Sequence, residues 1–441
     1  MIIKTDKFSM KKNIKNISYM FLVQSANYLF PLITIPIVAR AFGPDKIGLL
    51  NYITAIISYF ILIVSYGFNF TGVRRLSRNK DRSNEIFSTI FTSQLYLTTI
   101  CTFIFAICIP IINPLRGDVL LSIVIFTSCL SVLFTQTWFL QAYSDFKTIA
   151  LLSFCYRFIS FVLIIFFINS PGDVILYAAI INIGTLVFSL LCFFITIKKY
   201  KLKLRISKFS MCISYLKEDR SIFFSSVITS LYTTSGIVML GAVSSNQEVG
   251  YYTSAQKLID VTKSIMLMPI SQVIFPILSE KFGKNRMDGI KAVQSIMPAF
   301  FLFSLIVLIF MISFGGIVLE VIFGGDFSPA SPMLTILSFG LFAVFYGVLI
   351  GGQVMLNLGM DKEFLNVQVI VSVASLAANY LILPFGGGVT ISIVWTLSEF
   401  FISAYQIMIL KKNGISIIGF WCINPRLIIA SVKKILNRKE G

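Results

Sequence analysis

Five ionisable residues lie deep inside apolar stretches of this chain: Arg157, Lys257, Asp260, Lys263 and Glu399. Lys257, Asp260 and Lys263 follow one another at i, i+3 and i+6, a spacing that keeps them on one side of a helix. Two cations flank one carboxylate, so the local surplus is positive. With Arg157 at similar depth they form a candidate cationic patch. Cations pair strongly with phosphate oxygens, so a diphosphate head group is the ligand such a patch suits. The packing alternative is internal ion pairing, Arg157 with Glu399 for instance, which would leave little net field. Arg40 sits near the outer end of its stretch, either as a further cation of the patch or as a side chain reaching back to the interface. Asp260 and Glu399 are the deep carboxylates, and hence the candidates for coupling to protons or sodium ions.

A second pattern is polar and aromatic. Tyr52, Tyr59 and Tyr66 repeat every seven residues beside Asn51, Ser58, Ser65 and Asn69. Seven residues is nearly two helical turns, so these form one stripe. Aromatic faces and hydrogen-bonding groups suit sugar rings, and packing between helices uses the same residue types. Asn27, with Gln24, Ser25 and Tyr28, makes the first stretch unusually polar ahead of Pro31 and Pro36. The seventh stretch, with Thr229, Ser230, Tyr232, Thr233, Thr234 and Ser235, is its counterpart.

Several chemistries are excluded. There is no histidine, so no His-based triad, His metal site or His proton relay is available. The seven cysteines (Cys101, Cys108, Cys129, Cys155, Cys192, Cys212 and Cys422) show no CxxC spacing and read as small buried hydrophobes. No GxxxxGK[ST] loop is present to cradle a nucleotide. Neither a metal nor an organic cofactor is expected, and the chain is not expected to be an enzyme.

The elements that must position these residues are membrane spans. The hydrophobic fraction is 56% and the mean hydropathy +0.87, far above soluble-domain usage. About twelve apolar stretches recur, at roughly 16–41, 47–72, 86–112, 118–143, 148–169, 174–197, 221–243, 250–278, 292–322, 330–358, 364–384 and 388–410. They read as helices, since only helices and closed barrels satisfy the backbone in lipid and none alternates like a barrel strand. Of the 37 Lys and Arg, 31 fall in one set of loops, 3 in or at the edge of the opposite set (Arg40, Lys46 and Arg116) and 3 deep inside the stretches. Cytoplasmic loops retain basic residues, which puts both termini in the cytoplasm. The same bias accounts for the net charge of +18 without nucleic acid.

The expected fold is therefore an all-α polytopic membrane protein of about twelve transmembrane helices, in two six-helix lobes around a central cavity. The lobes are expected at 1–197 and 221–410, with a basic cytoplasmic linker at 198–220 and a basic amphipathic tail at 411–441 lying on the anionic inner leaflet. A short internal repeat supports the two halves. Gly43-Pro44-Asp45-Lys46-Ile47-Gly48 and Ser245-Asn246-Gln247-Glu248-Val249-Gly250 occupy corresponding junctions. The outer loops, such as 43–48, 113–118, 170–173 and 384–388, are too short to fold a catalytic or receptor domain.

The segments Asn27-Tyr28-Leu29-Phe30-Pro31, Ala39-Arg40-Ala41-Phe42-Gly43-Pro44 and Ser65-Tyr66-Gly67-Phe68-Asn69 with Arg74-Arg75 resemble those of the O-antigen and capsular polysaccharide flippase family. Thr137-Trp138-Phe139-Leu140-Gln141-Ala142 and Gly250-Tyr251-Tyr252-Thr253-Ser254-Ala255-Gln256-Lys257 are similar to it as well. That family is a branch of the multidrug/oligosaccharidyl-lipid/polysaccharide exporter superfamily. The resemblance runs along essentially the whole chain and is strongest over roughly the first 145 residues.

It implies transfer of an undecaprenyl-diphosphate-linked oligosaccharide from the inner to the outer leaflet of a bacterial plasma membrane by alternating access. It also implies work beside membrane lipids, a polysaccharide polymerase and glycosyltransferases. Lys257 and Lys263 would meet the diphosphate, with Arg157 and Arg40 as further candidates. Two alternatives stand beside it. A drug/cation antiporter of the same superfamily should carry an excess of intramembrane carboxylates. A membrane polymerase or glycosyltransferase should carry acidic residues on larger loops.

Overall fold

The computed structural model describes residues 2–417 and, beyond them, 419, 424, 426, 427 and 429. Most of the tail expected on the inner leaflet, including Lys433, Lys434, Arg438 and Lys439, lies outside the described residues. So do Cys422 and the side chains of Gln24, Ser25 and Tyr28. Among the described residues every regular element is helical. Ten helical segments there are long and apolar enough to cross a membrane, and the protein is a multi-pass membrane protein. Two compact units divide the chain, Met1–Ser230 and Leu231–Gly441.

The first unit opens with α1 (Ile2–Ser65), which is two helices meeting at Gly43. Gly43 has φ 68° and ψ 175°, a conformation that only glycine adopts without strain. Pro44 follows and starts the next helical segment, a favoured place for proline. The outer loop expected over 43–48 thus contracts to a single residue. A second break ends α1 seven residues earlier than hydropathy predicts. Tyr66 (φ 43°) and Gly67 (φ 80°) are both left-handed and turn the chain into α2 (Phe68–Arg78). Packing from far along the chain requires this break. A Cβ on Gly67 would lie 2.7 Å from the Ile222 side chain, and the Tyr66 ring stacks on Phe223 at 4.3 Å.

Helices α3 (Ser83–Ile111), α4 (Asn113–Gly117), α5 (Val119–Phe134), α6 (Thr137–Ala142), α7 (Phe146–Phe167), α8 (Val174–Tyr200) and the first half of α9 (Phe209–Val243) complete this unit. The expected outer loops are little more than caps. Asp118 accepts from the Leu121 amide at 3.0 Å, and Ser170 and Asp173 form a reciprocal capping box before α8. Phe68, Leu76, Phe87, Trp138 and Phe139 are fully buried together and hold α2, α3 and α6 against one another. The Trp138–Phe139 pair quoted from sequence is therefore core.

Residues 198–220, read from sequence as a linker, are the end of α8, an extended strap over 202–208 and the first turns of α9. Here Asp219, whose side chain is 0% exposed, receives both guanidinium nitrogens of Arg75 at 2.9 Å. Arg75 also reaches Glu218 at 2.8 Å and lies over the Tyr215 ring at 4.0 Å. At the same end, Asp145 accepts from Lys199, Thr148 and Tyr200. Burial alone would push its carboxyl up, but these hydrogen bonds outweigh burial and hold it below the usual range.

The second unit contains the rest of α9, then α10 (Asn246–Lys284), α11 (Arg286–Phe323) and α12 (Ser331–Gly347). Helix α12 runs directly into a π-helix (Val348–Met355), and α13 (Asp361–Ile382) and α14 (Gly387–Lys412) follow. The first half of α10 carries Glu248, Lys257, Asp260 and Lys263.

Loops assigned to one side by charge meet at one end of each unit. In the first unit the 74–82 region meets 203–219 and Asp145 meets Lys199. In the second, Glu248 accepts from the Gly388 amide at 2.8 Å, while Ser279 meets Asn357 and Arg286 meets the Asn413 carbonyl.

The two arginine pairs at the basic end of the first unit should respond differently to truncation. Arg75→Ala leaves a buried carboxylate unmatched and should cost about 3–5 kcal/mol. Arg82→Ala, which breaks an exposed pair with Glu85, should be close to silent. Thermal unfolding of the purified variants tests this, and equal losses would show that the buried pair is not the anchor.

Candidate functional site

Each unit presents its own share of the polar side chains singled out by sequence. In the second unit they come from α9, α10 and α14. Lys263 Nζ lies 3.1 Å from Asp260 Oδ1, the i, i+3 contact that the spacing predicts. Both side chains remain substantially exposed, at 39% and 50%. Lys257, one turn earlier, is exposed and has no carboxylate partner among the described residues of its unit. The helix thus shows one matched and one unmatched cation on the same side.

Glu399 takes a partner that sequence reasoning did not assign. Its Oε1 accepts from the Tyr232 hydroxyl at 2.7 Å, joining α14 to α9 across 167 residues. The charge of Lys263 also acts on Glu399. Tyr232 packs against a cluster of Val367, Val371 and Ile402, so an apolar wall surrounds this hydrogen bond. The only sequence signal for Tyr232 was the unusual polarity of its stretch. Behind α14 lies a second feature with no sequence signal. Gln406 is fully buried beside the π-helix, and neither atom of its amide has a hydrogen-bond partner among the described residues. The oxygen of Gln353, within the π-helix, is likewise unpartnered there.

In the first unit, Arg157 is half-buried on α7 and pairs with no carboxylate among that unit's described residues. Its neighbour Tyr156 is tied to the Ile181 carbonyl and to Thr185, both at 2.7 Å. Arg40 is exposed and Asn27 is half-buried on α1. Within the tyrosine stripe, Tyr52 is buried at 5% exposure, Tyr59 is half-buried, and Tyr66 is the residue stacked on Phe223 at the α1–α2 break. Packing therefore engages Tyr52 and Tyr66.

The arrangement offers cations for an anion and a carboxylate held by a phenol. Among the described residues no group of three metal-ligating side chains occurs. If Tyr232 and Glu399 act as a unit, Tyr232→Phe and Glu399→Gln should not add. A double-mutant cycle on thermal stability should return a coupling of about 0.5–3 kcal/mol, and strictly additive losses would separate the two residues.

Residues 14–282 match a family model described as "Polysaccharide biosynthesis protein". The chain is 26% identical over 418 residues to the protein named "Putative O-antigen transporter" of Escherichia coli (strain K12), covering 93% of this chain and 98% of that one. It is 27% identical over 281 residues to the protein of the same name from Shigella dysenteriae, covering 63% and 70%. Among solved structures, an inward-facing multidrug resistance MATE family transporter of the MOP superfamily superposes with a TM-score of 0.67. That match has 15% identity and covers 90% of this chain and 99% of that one. The lipid II flippase MurJ in an inward closed conformation gives 0.66 at 13% identity, over 96% and 93%. These structures share the fold, a twelve-helix transporter architecture. The match over most of the chain, on a fold of membrane helices, places the protein in the polysaccharide biosynthesis protein family.

Proposed function

We propose that the protein flips an undecaprenyl-diphosphate-linked oligosaccharide from the inner to the outer leaflet of a bacterial plasma membrane, supplying surface polysaccharide synthesis. Alternating access would carry the glycan while its lipid tail stays in the bilayer. Two relatives named as O-antigen transporters support the glycan class. The observation that carries the reading is the unmatched cation Lys257 beside the weakly matched Lys263 on α10. A cation left without a carboxylate on such a helix is costly unless an anion visits it. A diphosphate is such an anion, and a multidrug cation is not. In the first unit, Arg157 is likewise a cation without a carboxylate partner among that unit's described residues. Glu399, held by Tyr232, and Asp260, held by Lys263, are the carboxylates through which protons or sodium ions would couple.

Both termini would face the cytoplasm, and a polysaccharide polymerase and glycosyltransferases would be the partners that handle the same glycan. The role is transport without bond making or breaking. Lys257→Ala and Lys263→Ala should each reduce surface polysaccharide at least tenfold, with protein in the membrane at normal levels. Lys257→Arg, which keeps the charge, should retain a substantial fraction. Unchanged polysaccharide in both alanine variants would remove the cationic site from the mechanism.

A further inference from the structure

The strap over 202–208 is held to α3 by a commensurate ladder. Asn84, Ser88 and Thr92 recur every four residues on α3, a rise of about 6 Å per step. Lys203, Arg205 and Ser207 recur every two residues on an extended chain, about 6.6 Å per step. The amide of Lys203 donates to Asn84 Oδ1 at 2.8 Å, that of Arg205 to Ser88 Oγ at 3.1 Å, and that of Ser207 to Thr92 Oγ1 at 3.1 Å. The hydroxyls of Thr89 and Ser207 meet at 3.0 Å and close the ladder. The register is therefore fixed. A slip of one residue would break every rung and exchange the two faces of the strap.

That register gives the strap two chemically distinct faces. Lys203 and Arg205 alternate with Leu204 and Ile206, and all four are exposed, Ile206 at 80%. Lys208 and Phe209, where the strap passes into α9, add one more exposed cation and one exposed ring. The Phe209 ring is 62% exposed and meets Tyr96 edge-on at 5.6 Å. Three cations at this end are paired with carboxylates, Arg75 with Asp219, Arg82 with Glu85 and Lys199 with Asp145. Lys203, Arg205 and Lys208 have no carboxylate partner among the described residues of their unit.

Exposed basic and apolar side chains alternating beside an aromatic pair match a bilayer interface, where aromatic rings gather and anionic head groups attract Lys and Arg. We propose that residues 203–209 bind anionic phospholipid of the leaflet facing the basic loops. Leu204, Ile206 and Phe209 enter the acyl boundary, and Lys203, Arg205 and Lys208 meet head-group phosphates. The assignment rests on the reading that these loops face the anionic inner leaflet, and it needs no glycan substrate. The partner is committed by charge and by the apolar face together, since a soluble anion would leave Leu204 and Ile206 in water.

The test uses the full chain in nanodiscs of phosphatidylcholine alone or with about 30 mol % phosphatidylglycerol, without any glycan lipid. Phosphatidylglycerol should raise the unfolding temperature of the wild type by several degrees at low salt. About 0.5 M NaCl should remove most of the gain, because exposed charges are screened. Lys203→Gln/Arg205→Gln/Lys208→Gln should lose at least half of the gain, and Ile206→Ser should lose part of it. The ladder uses backbone amides and stays intact in both variants. Native mass spectra should show retained phosphatidylglycerol on the wild type and less on the triple variant. An equal gain in the triple variant, or none in the wild type, overturns the proposal. So does a gain reproduced in phosphatidylcholine by soluble pyrophosphate alone. Loss of export in Lys257→Ala is read separately, so failure of either reading leaves the other standing.

Discussion

Taking a charge out of water costs several kcal/mol per ion, and the fold is arranged around where that cost is matched and where it is not. Arg75 and Asp219 show full matching: two hydrogen bonds at 2.9 Å, a second carboxylate and an aromatic face share one guanidinium. That cluster lets α9 begin against α2 and α3, and it fixes the left-handed turn at Tyr66–Gly67 by seating Ile222 and Phe223 there. Lys257 and Arg157 show the opposite case. Neither finds a carboxylate among the described residues of its own unit, although Arg157 is half-buried and α10 carries Asp260 only three residues after Lys257. A structure able to build the Arg75 cluster leaves these cations unmatched. The proposed reading rests on that contrast, which holds within each unit taken by itself.

The second constraint is the backbone. In lipid each amide and carbonyl must find its partner within the helix, so loops shrink to what caps and turns require. Gly43 replaces a loop outright, Asp118 and the Ser170–Asp173 box each start a helix within a few residues, and Ser245 caps α10. So little chain remains in these loops that no external domain exists among the described residues to do chemistry. The π-helix at Val348–Met355 is the departure the sequence did not announce, and it lies beside the unsatisfied Gln406 amide. π-helical turns are frequent at functional sites, and a buried amide without partners is unstable enough to call for a compensating contact.

Hydropathy and charge sorting made the spans and their alternation legible, because both signals are local and accumulate over twenty residues. The outcome is visible where loops placed on one side by charge meet, as Glu248 meets Gly388. Breaks set by distant packing were not legible. The second stretch looks apolar through residue 72, yet the helix ends at Ser65 because Ile222 and Phe223 occupy the space beyond it. For the site, the Asp260–Lys263 contact follows from spacing alone. The Tyr232–Glu399 hydrogen bond joins residues 167 apart and could not be read from either stretch by itself. Arg75 was read as a topological charge and as part of the family resemblance, with no partner assigned, since nothing local distinguishes it from the exposed Arg74 and Arg78. The strap was read as a linker because its ladder depends on the match between a four-residue helical step and a two-residue extended step.

The Asp260 contact does not retire Lys263 from binding. The pair is partly exposed on both sides, and exposed ion pairs of this kind contribute only about 0.2–1 kcal/mol. A diphosphate presents several oxygens with more charge than one carboxylate, and charge-assisted hydrogen bonds to phosphate are roughly twice as strong as neutral ones. On the proposed reading Lys263 would move between Asp260 and an arriving phosphate at small cost, whereas Arg75 stays bound to the buried Asp219. A weak internal pair next to a cation without a carboxylate would, on that reading, be a ligand site neither permanently filled nor permanently repelled. Conduction through a membrane requires that balance, because binding has to be strong enough to capture the head group and weak enough to release it on the other side.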